Sequence, residues 1–269
     1  MQLNFHYLKM HCLFILAILA KLSANKAPGR GDLRVYKGRD DTHNEFPFIV
    51  LLEKKNSGIR ACTGSLIAED WVLTVAHCIE RDELLVIRYG DFTKPAKETT
   101  LYSSVIKKYL HPSYRPYRYF ERRFPLNDIG LIFTEEIPNK NLARLLALDY
   151  KAFLGLPVKN AGFGLVTKHY DKIEVTSKEV REWHLIPFQI GEGIVVDCEP
   201  DFYSCFICVA PKCSNRKQQI RPGDSGGPLV YDGRVIGVTC KFSHNTSISH
   251  FIYPCKPIFR MDSKNHALE

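Results

Sequence analysis

The 269-residue chain is 45% hydrophobic and 25% charged, enough apolar material for one large domain or two smaller halves with their own cores, and not the composition of a disordered chain. Its formal charge of +8 is inflated at the N-terminus: Lys9, Lys21, Lys26, Arg30 and Arg34 face only Asp32 in the first 34 residues, and the remaining 32 basic and 28 acidic residues net +4. A mildly basic chain without a concentrated basic stripe gives no support for nucleic acid as a partner.

In chain order, Lys9 precedes the apolar run Cys12–Ala20 (CLFILAILA), which Lys21 closes. Nine apolar residues are too few to span a bilayer, which takes about 20, but they match the hydrophobic core of a signal peptide. Residues 1–24 are therefore expected to be a signal peptide cut after Ala24, although Leu22 is bulky for its place before that cut. Residues 25–34 (NKAPGRGDLR) read as an exposed linker. No later run is long and apolar enough for a membrane helix, so the mature chain is expected to be secreted, extracellular and monomeric, with no membrane partner.

From Phe48 onward, short apolar runs alternate with turn signals. Phe48–Leu52, Ser65–Ile67, Trp71–Ala76, Leu84–Tyr89, Ile129–Phe133 and Val235–Cys240 read as strands; Asn56-Ser57-Gly58 and Asp232-Gly233 read as turns. This pattern predicts an all-β sandwich or barrel. Helical periodicity is weak except around Leu142–Leu148. Of nine cysteines, Cys12 lies in the signal and eight remain, an even number that favours disulfides in an exported chain. Cys205, Cys208 and Cys213 have metal-like spacing, but no second ligand pair accompanies them, and structural zinc sites usually need one. No metal and no cofactor are expected.

Three segments carry chemistry: Trp71–Cys78 (WVLTVAHC), Asn127–Leu131 (NDIGL) and Gly223–Leu229 (GDSGGPL). A serine hydroxyl is a poor nucleophile until an adjacent base takes its proton. An imidazole, titrating near physiological pH, is suited to that task. A carboxylate can hold the imidazole in the required tautomer and stabilise the imidazolium. His77, Asp128 and Ser225 supply these groups. The order His, Asp, Ser argues against a lipase or esterase, in which the nucleophile comes first.

These segments resemble the trypsin/chymotrypsin family of serine proteases, and the resemblance runs from about Val35 to Phe259. It implies two packed six-stranded antiparallel β-barrels, a protease domain over residues 35–269, and an active site in the cleft between the barrels. It implies His77, Asp128 and Ser225 as the catalytic residues, with the N–H groups of Gly223 and Ser225 forming an oxyanion hole; such donors contribute about 3–4 kcal/mol each. Arg34 before Val35 resembles the family's activation cut, with 25–34 as propeptide, an activating protease as partner, and Asp224 receiving the freed N-terminus. The resemblance also pairs Cys62 with Cys78 and Cys198 with Cys208. The pairing of Cys205, Cys213, Cys240 and Cys255 stays open. Val158 and Tyr231 stand where another family bridge is often found.

The departures concern substrate choice. Gln219 stands at the base of the specificity pocket, where no carboxylate is available for a Lys or Arg side chain. The resemblance puts Cys240-Lys241-Phe242 on one pocket wall, where the family often reads Ser-Trp-Gly, and Phe251 near the place of a second wall glycine. Two inward phenylalanines would exclude large substrate side chains, since each ring buries about 150–250 Å². Asn245 begins a glycosylation sequon between the two walls. Tyr114–Phe124 (YRPYRYFERRF) is rich in arginine and aromatic residues and is the candidate surface for an acidic partner. The leading expectation is a secreted serine endopeptidase made as a zymogen, acting on proteins or peptides, with specificity unlike trypsin. The alternative is a catalytically impaired homologue acting as a binding or regulatory protein.

Overall fold

The computed structural model describes residues 38–116, 125–164, 176–198, 206–212, 220–242 and 248–253, all within one unit, Asp32–Glu269. Thirteen strands organise them: β1 (Arg39–Asp40), β2 (Ile49–Lys54), β3 (Arg60–Ala68), β4 (Trp71–Thr74), β5 (Leu85–Arg88), β6 (Tyr102–Leu110), β7 (Gly130–Thr134), β8 (Pro157–Gly162), β9 (Gln189–Val196), β10 (Phe206–Pro211), β11 (Pro228–Tyr231), β12 (Arg234–Phe242) and β13 (Ser249–Ile252). β2-β3-β4-β7-β6-β5 close into an antiparallel barrel, and β8-β9-β10-β13-β12-β11 close into a second, with β1 added at β9. The expected two six-stranded barrels are therefore present. Asp232 (φ 47°) and Gly233 (φ 70°) join β11 to β12, the two left-handed residues that a tight hairpin of this hand requires.

The strands are apolar on both faces because each face has a different partner. In β2, Val50 and Leu52 enter the core of the first barrel, while Ile49 and Leu51 join Ala161, Phe163, Ile190 and Val235 of the second half. In β4, Val72 points into the first barrel, while Trp71 and Leu73 pack with Phe206, Cys208, Val238, Cys240 and Ile252. Two apolar clusters thus join the barrels, and each large aliphatic side chain buried there contributes about 1.5–3 kcal/mol. Val158 is buried in the core of the second barrel, and the half-buried Tyr231 packs against the same cluster.

One local expectation is corrected. Residues 142–148 form no helix: Ala143 N–H donates to Leu66 O at 2.8 Å and Leu146 N–H to Val235 O at 2.9 Å, holding the segment extended. Leu142, Leu145 and Leu148 are exposed, so their three-residue spacing buries no helical face. Among the described residues the α-helix is α1 (Ser177–His184), capped by Thr176 and Glu179 bonding each other's backbone N–H, an arrangement that stabilises a helix start. It buries Val180, Trp183 and His184. Among the described residues no helix is long and apolar enough to cross a membrane.

Candidate active site

The site forms where the inter-barrel cluster reaches the loops. Val75, buried in that cluster, is followed by a single 3₁₀ turn, Ala76–Cys78, which carries His77. Ile129, buried in the same cluster, is preceded by Asp128. Asn127 turns the chain there at φ 50°, and its side-chain amide donates to Ser113 O at 3.0 Å. Asparagine tolerates this left-handed geometry better than most residues.

Asp128 is fully buried. Its Oδ1 accepts the backbone N–H of His77 at 2.8 Å, and its Oδ2 lies 2.6 Å from His77 Nδ1. The carboxylate accepts, so Nδ1 carries the ring proton and Nε2 presents its lone pair. Oδ2 also accepts from the Cys240 thiol at 3.2 Å. The sequence placed Cys240 in the pocket wall, but its side chain turns to Asp128. Strand alternation explains this: Cys240 shares a face with Val238 in the inter-barrel cluster, whereas Thr239 faces Phe251 across the β12–β13 pair.

Ser225 belongs to the second barrel and is held against the first. Its carbonyl accepts the N–H of Thr63 at 2.8 Å and lies 3.9 Å from Cys78 Sγ. Cys78 is bonded to Cys62, and Cys198 to Cys208. The Cys62, His77 and Cys78 ligand atoms lie within 4.8 Å of one another, but thiolates are the metal ligands and these two sulfurs are joined in a disulfide.

Residues 221–224 form a turn in which Asp224 N–H donates to Arg221 O at 2.9 Å. Pro222 occupies its second position and Gly223, at φ 98°, its third, the residue pattern of a type II turn. Among the described residues, the N–H groups of Gly223 and Ser225 meet no protein acceptor. Asp224 is fully buried; its oxygens accept the N–H groups of Gly164 and Arg221, each at 2.7 Å. A Cβ on Gly162 would lie 2.2 Å from Asp224 Oδ1, and one on Gly164 would lie 2.5 Å from Oδ2. The backbone packs so closely on this carboxylate that both places admit only glycine.

Phe251 is fully buried in the core of the second barrel, in one cluster with Ile207, Ile220 and Tyr253. Ile220 of that cluster opens the segment leading to Ser225. Tyr114, at the start of the arginine-rich segment, donates its hydroxyl to Glu80 Oε2 at 3.0 Å. Burial, then the nearby Asp128 charge, push that hydroxyl's pKa upward. Arg34, Val35, Gln219, Asn245, residues 117–124, Cys205, Cys213 and Cys255 lie outside the described residues, as do the side chains of Lys241 and Phe242. Sequence reading missed Thr63, whose polar contacts at this site depend on the packing of the two barrels.

The trypsin family model matches residues 35–254. Mast cell protease 2 of Meriones unguiculatus is 29% identical over 258 residues, covering 90% of this chain and 96% of that protein. Chymase of Cavia porcellus is 29% identical over 255 residues, covering 89% and 95% respectively. Among solved structures, mouse neuropsin, a serine protease, superposes with a TM-score of 0.60 at 21% identity, covering 81% of this chain and 94% of its own; this likeness concerns the fold. With the family model spanning both barrels and every segment that meets at Ser225, the chain belongs to the trypsin family of serine proteases.

Proposed function

We infer that the protein is a secreted serine endopeptidase, made as a zymogen and activated by cleavage after Arg34. Ser225 Oγ attacks the substrate carbonyl while His77 Nε2 takes its proton. Asp128 holds the His77 tautomer and stabilises the imidazolium. The N–H groups of Gly223 and Ser225 receive the developing oxyanion. His77 then returns the proton to the leaving amine, and water hydrolyses the acyl-enzyme. The single observation that carries this reading is the 2.6 Å contact between His77 Nδ1 and the buried Asp128, which leaves Nε2 as the base. The freed Val35 ammonium is assigned to Asp224, a buried carboxylate suited to a cation. Specificity unlike trypsin follows from Gln219 at the pocket base, where a Lys or Arg side chain would find no carboxylate.

The test is a peptidyl phosphonate applied before and after cleavage at Arg34. Label on Ser225 only after cleavage, abolished by Ser225→Ala, is the expected result. Correctly cleaved protein that takes no label refutes the assignment.

One observation favours a second reading, in which the machinery is retained but substrates bind poorly. Phe251 is fully buried in a cluster with Ile220, which supports a narrowed pocket. Label on Ser225 without cleavage of any member of a peptide library would favour a binding or regulatory role; efficient cleavage at a defined residue would dismiss it.

A further inference from the structure

We propose that Thr63 is a positioning residue for the oxyanion hole, its hydroxyl fixing the peptide that follows Gly223. This rests on the peptidase reading above. Thr63 lies in β3 of the first barrel and is fully buried. Its Oγ1 donates to Gly223 O at 2.8 Å and accepts the N–H of Phe163 at 3.1 Å. Its own N–H donates to Ser225 O at 2.8 Å, and its carbonyl accepts from Thr74 Oγ1 at 2.9 Å. One residue thus binds the carbonyls of both residues whose N–H groups are assigned to the oxyanion.

The geometry explains what the hydroxyl does. Gly223 at φ 98° is the turn residue with the widest backbone freedom. Pro222 before it has a fixed φ. The Gly223–Asp224 peptide is held at both ends: its N–H by Arg221 O at 2.9 Å, its C=O by the Thr63 hydroxyl. With that peptide fixed, the direction of the Gly223 N–H is constrained. The hydroxyl has one proton and gives it to Gly223, while its lone pair takes the Phe163 N–H. Both ends of the rotor are therefore defined.

Close packing makes the contact stiff. A Cβ on Gly226 would lie 2.1 Å from Thr63 O and 2.1 Å from Thr74 Oγ1, so loop and strand are pressed backbone to backbone. The neighbouring Cys62 is bonded to Cys78, which follows His77. Thr63 therefore ties the oxyanion loop to the strand whose disulfide anchors the base.

The test compares Thr63→Val, which keeps the shape and removes the hydroxyl, with Thr63→Ser, which keeps the hydroxyl. In activated full-length protein, Thr63→Val is expected to lose about 10- to 100-fold in kcat with KM nearly unchanged, less than the roughly 100- to 1,000-fold cost of deleting an oxyanion donor outright. Affinity for a peptide boronate, which mimics the tetrahedral intermediate, should fall in parallel, and Thr63→Ser should recover most of both. Crystal structures of wild type and Thr63→Val should show the Gly223 carbonyl displaced in the variant. Unchanged kcat in Thr63→Val, or a Thr63→Ser variant as impaired as Thr63→Val, overturns the proposal. If wild type neither labels nor turns over, the peptidase reading fails on its own account. The crystallographic comparison still decides about Thr63, because an unmoved Gly223 peptide overturns its positioning role without reference to activity.

Discussion

Asp128→Asn probes the site where its geometry is most constrained. Oδ1 accepts the His77 backbone N–H at 2.8 Å and Oδ2 faces Nδ1 at 2.6 Å. An asparagine must keep its oxygen toward the backbone donor, because the reverse orientation sets two donors face to face. Its Nδ2 then points at Nδ1, which has to become the acceptor. The ring proton moves to Nε2, the nitrogen that must take the Ser225 proton. The Cys240 thiol, at 3.2 Å from Oδ2, meets a donor as well. In triad enzymes this substitution lowers kcat about 10⁴-fold, or about 5.4 kcal/mol in the barrier. The folding cost is smaller: loss of a charge-assisted hydrogen bond costs about 1.5–3 kcal/mol, a fall in Tm of roughly 3–12 °C for a domain of this size. The assay is the second-order rate of phosphonate labelling at Ser225 in activated wild type and variant at neutral pH, alongside thermal unfolding. A folded variant labelled within about tenfold of wild type, against the 10⁴ expected, would refute the tautomer argument.

Other outcomes follow from the same geometry. Gly226→Ala would place a Cβ 2.1 Å from Thr63 O at φ 84°; labelling should be lost and Tm lowered, as read by inhibitor kinetics and calorimetry. Replacing Cys62 and Cys78 together by Ala opens a crosslink spanning 16 residues, worth about 3 kcal/mol; denaturant titration should show that loss. Burial pushes Glu53 up to about 7, against a normal value of 4.5, despite the Ala96 N–H and Arg88 beside it. The folded state then binds this proton more tightly than the unfolded state, so the Glu53 contribution to stability falls as pH rises from 4.5 to about 7 and is level above. The decline is about 3 kcal/mol at most, and Glu53→Gln should remove it; urea titrations of both proteins across that window showing equal slopes would contradict the assignment.

How much was legible in the sequence differs by residue. WVLTVAHC and GDSGGPL singled out His77 and Ser225 because the chemistry demands fixed residue types in short segments. The strands were legible because their apolar runs are bounded by turn residues, and Asp232-Gly233 marked its hairpin because few residues accept two left-handed positions. Leu142–Leu148 misled because a three-residue apolar spacing also fits an extended segment that leaves leucines exposed. α1 escaped because its signal lay in the Thr176 and Glu179 cap rather than in a strong apolar stripe.

The sequence by itself determined the all-β class, the order of His77, Asp128 and Ser225, and the absence of an acidic residue at position 219. These are local matters of residue type, turn chemistry and spacing. Tertiary structure decided which faces of β12 Cys240 and Thr239 occupy, sending Cys240 to Asp128 and Thr239 to Phe251. It also made Thr63 a hub for Phe163, Gly223 and Ser225, residues 100 or more positions away. A hydrogen bond between barrels exists only once the apolar clusters have docked them, and no local pattern in the chain encodes that distance.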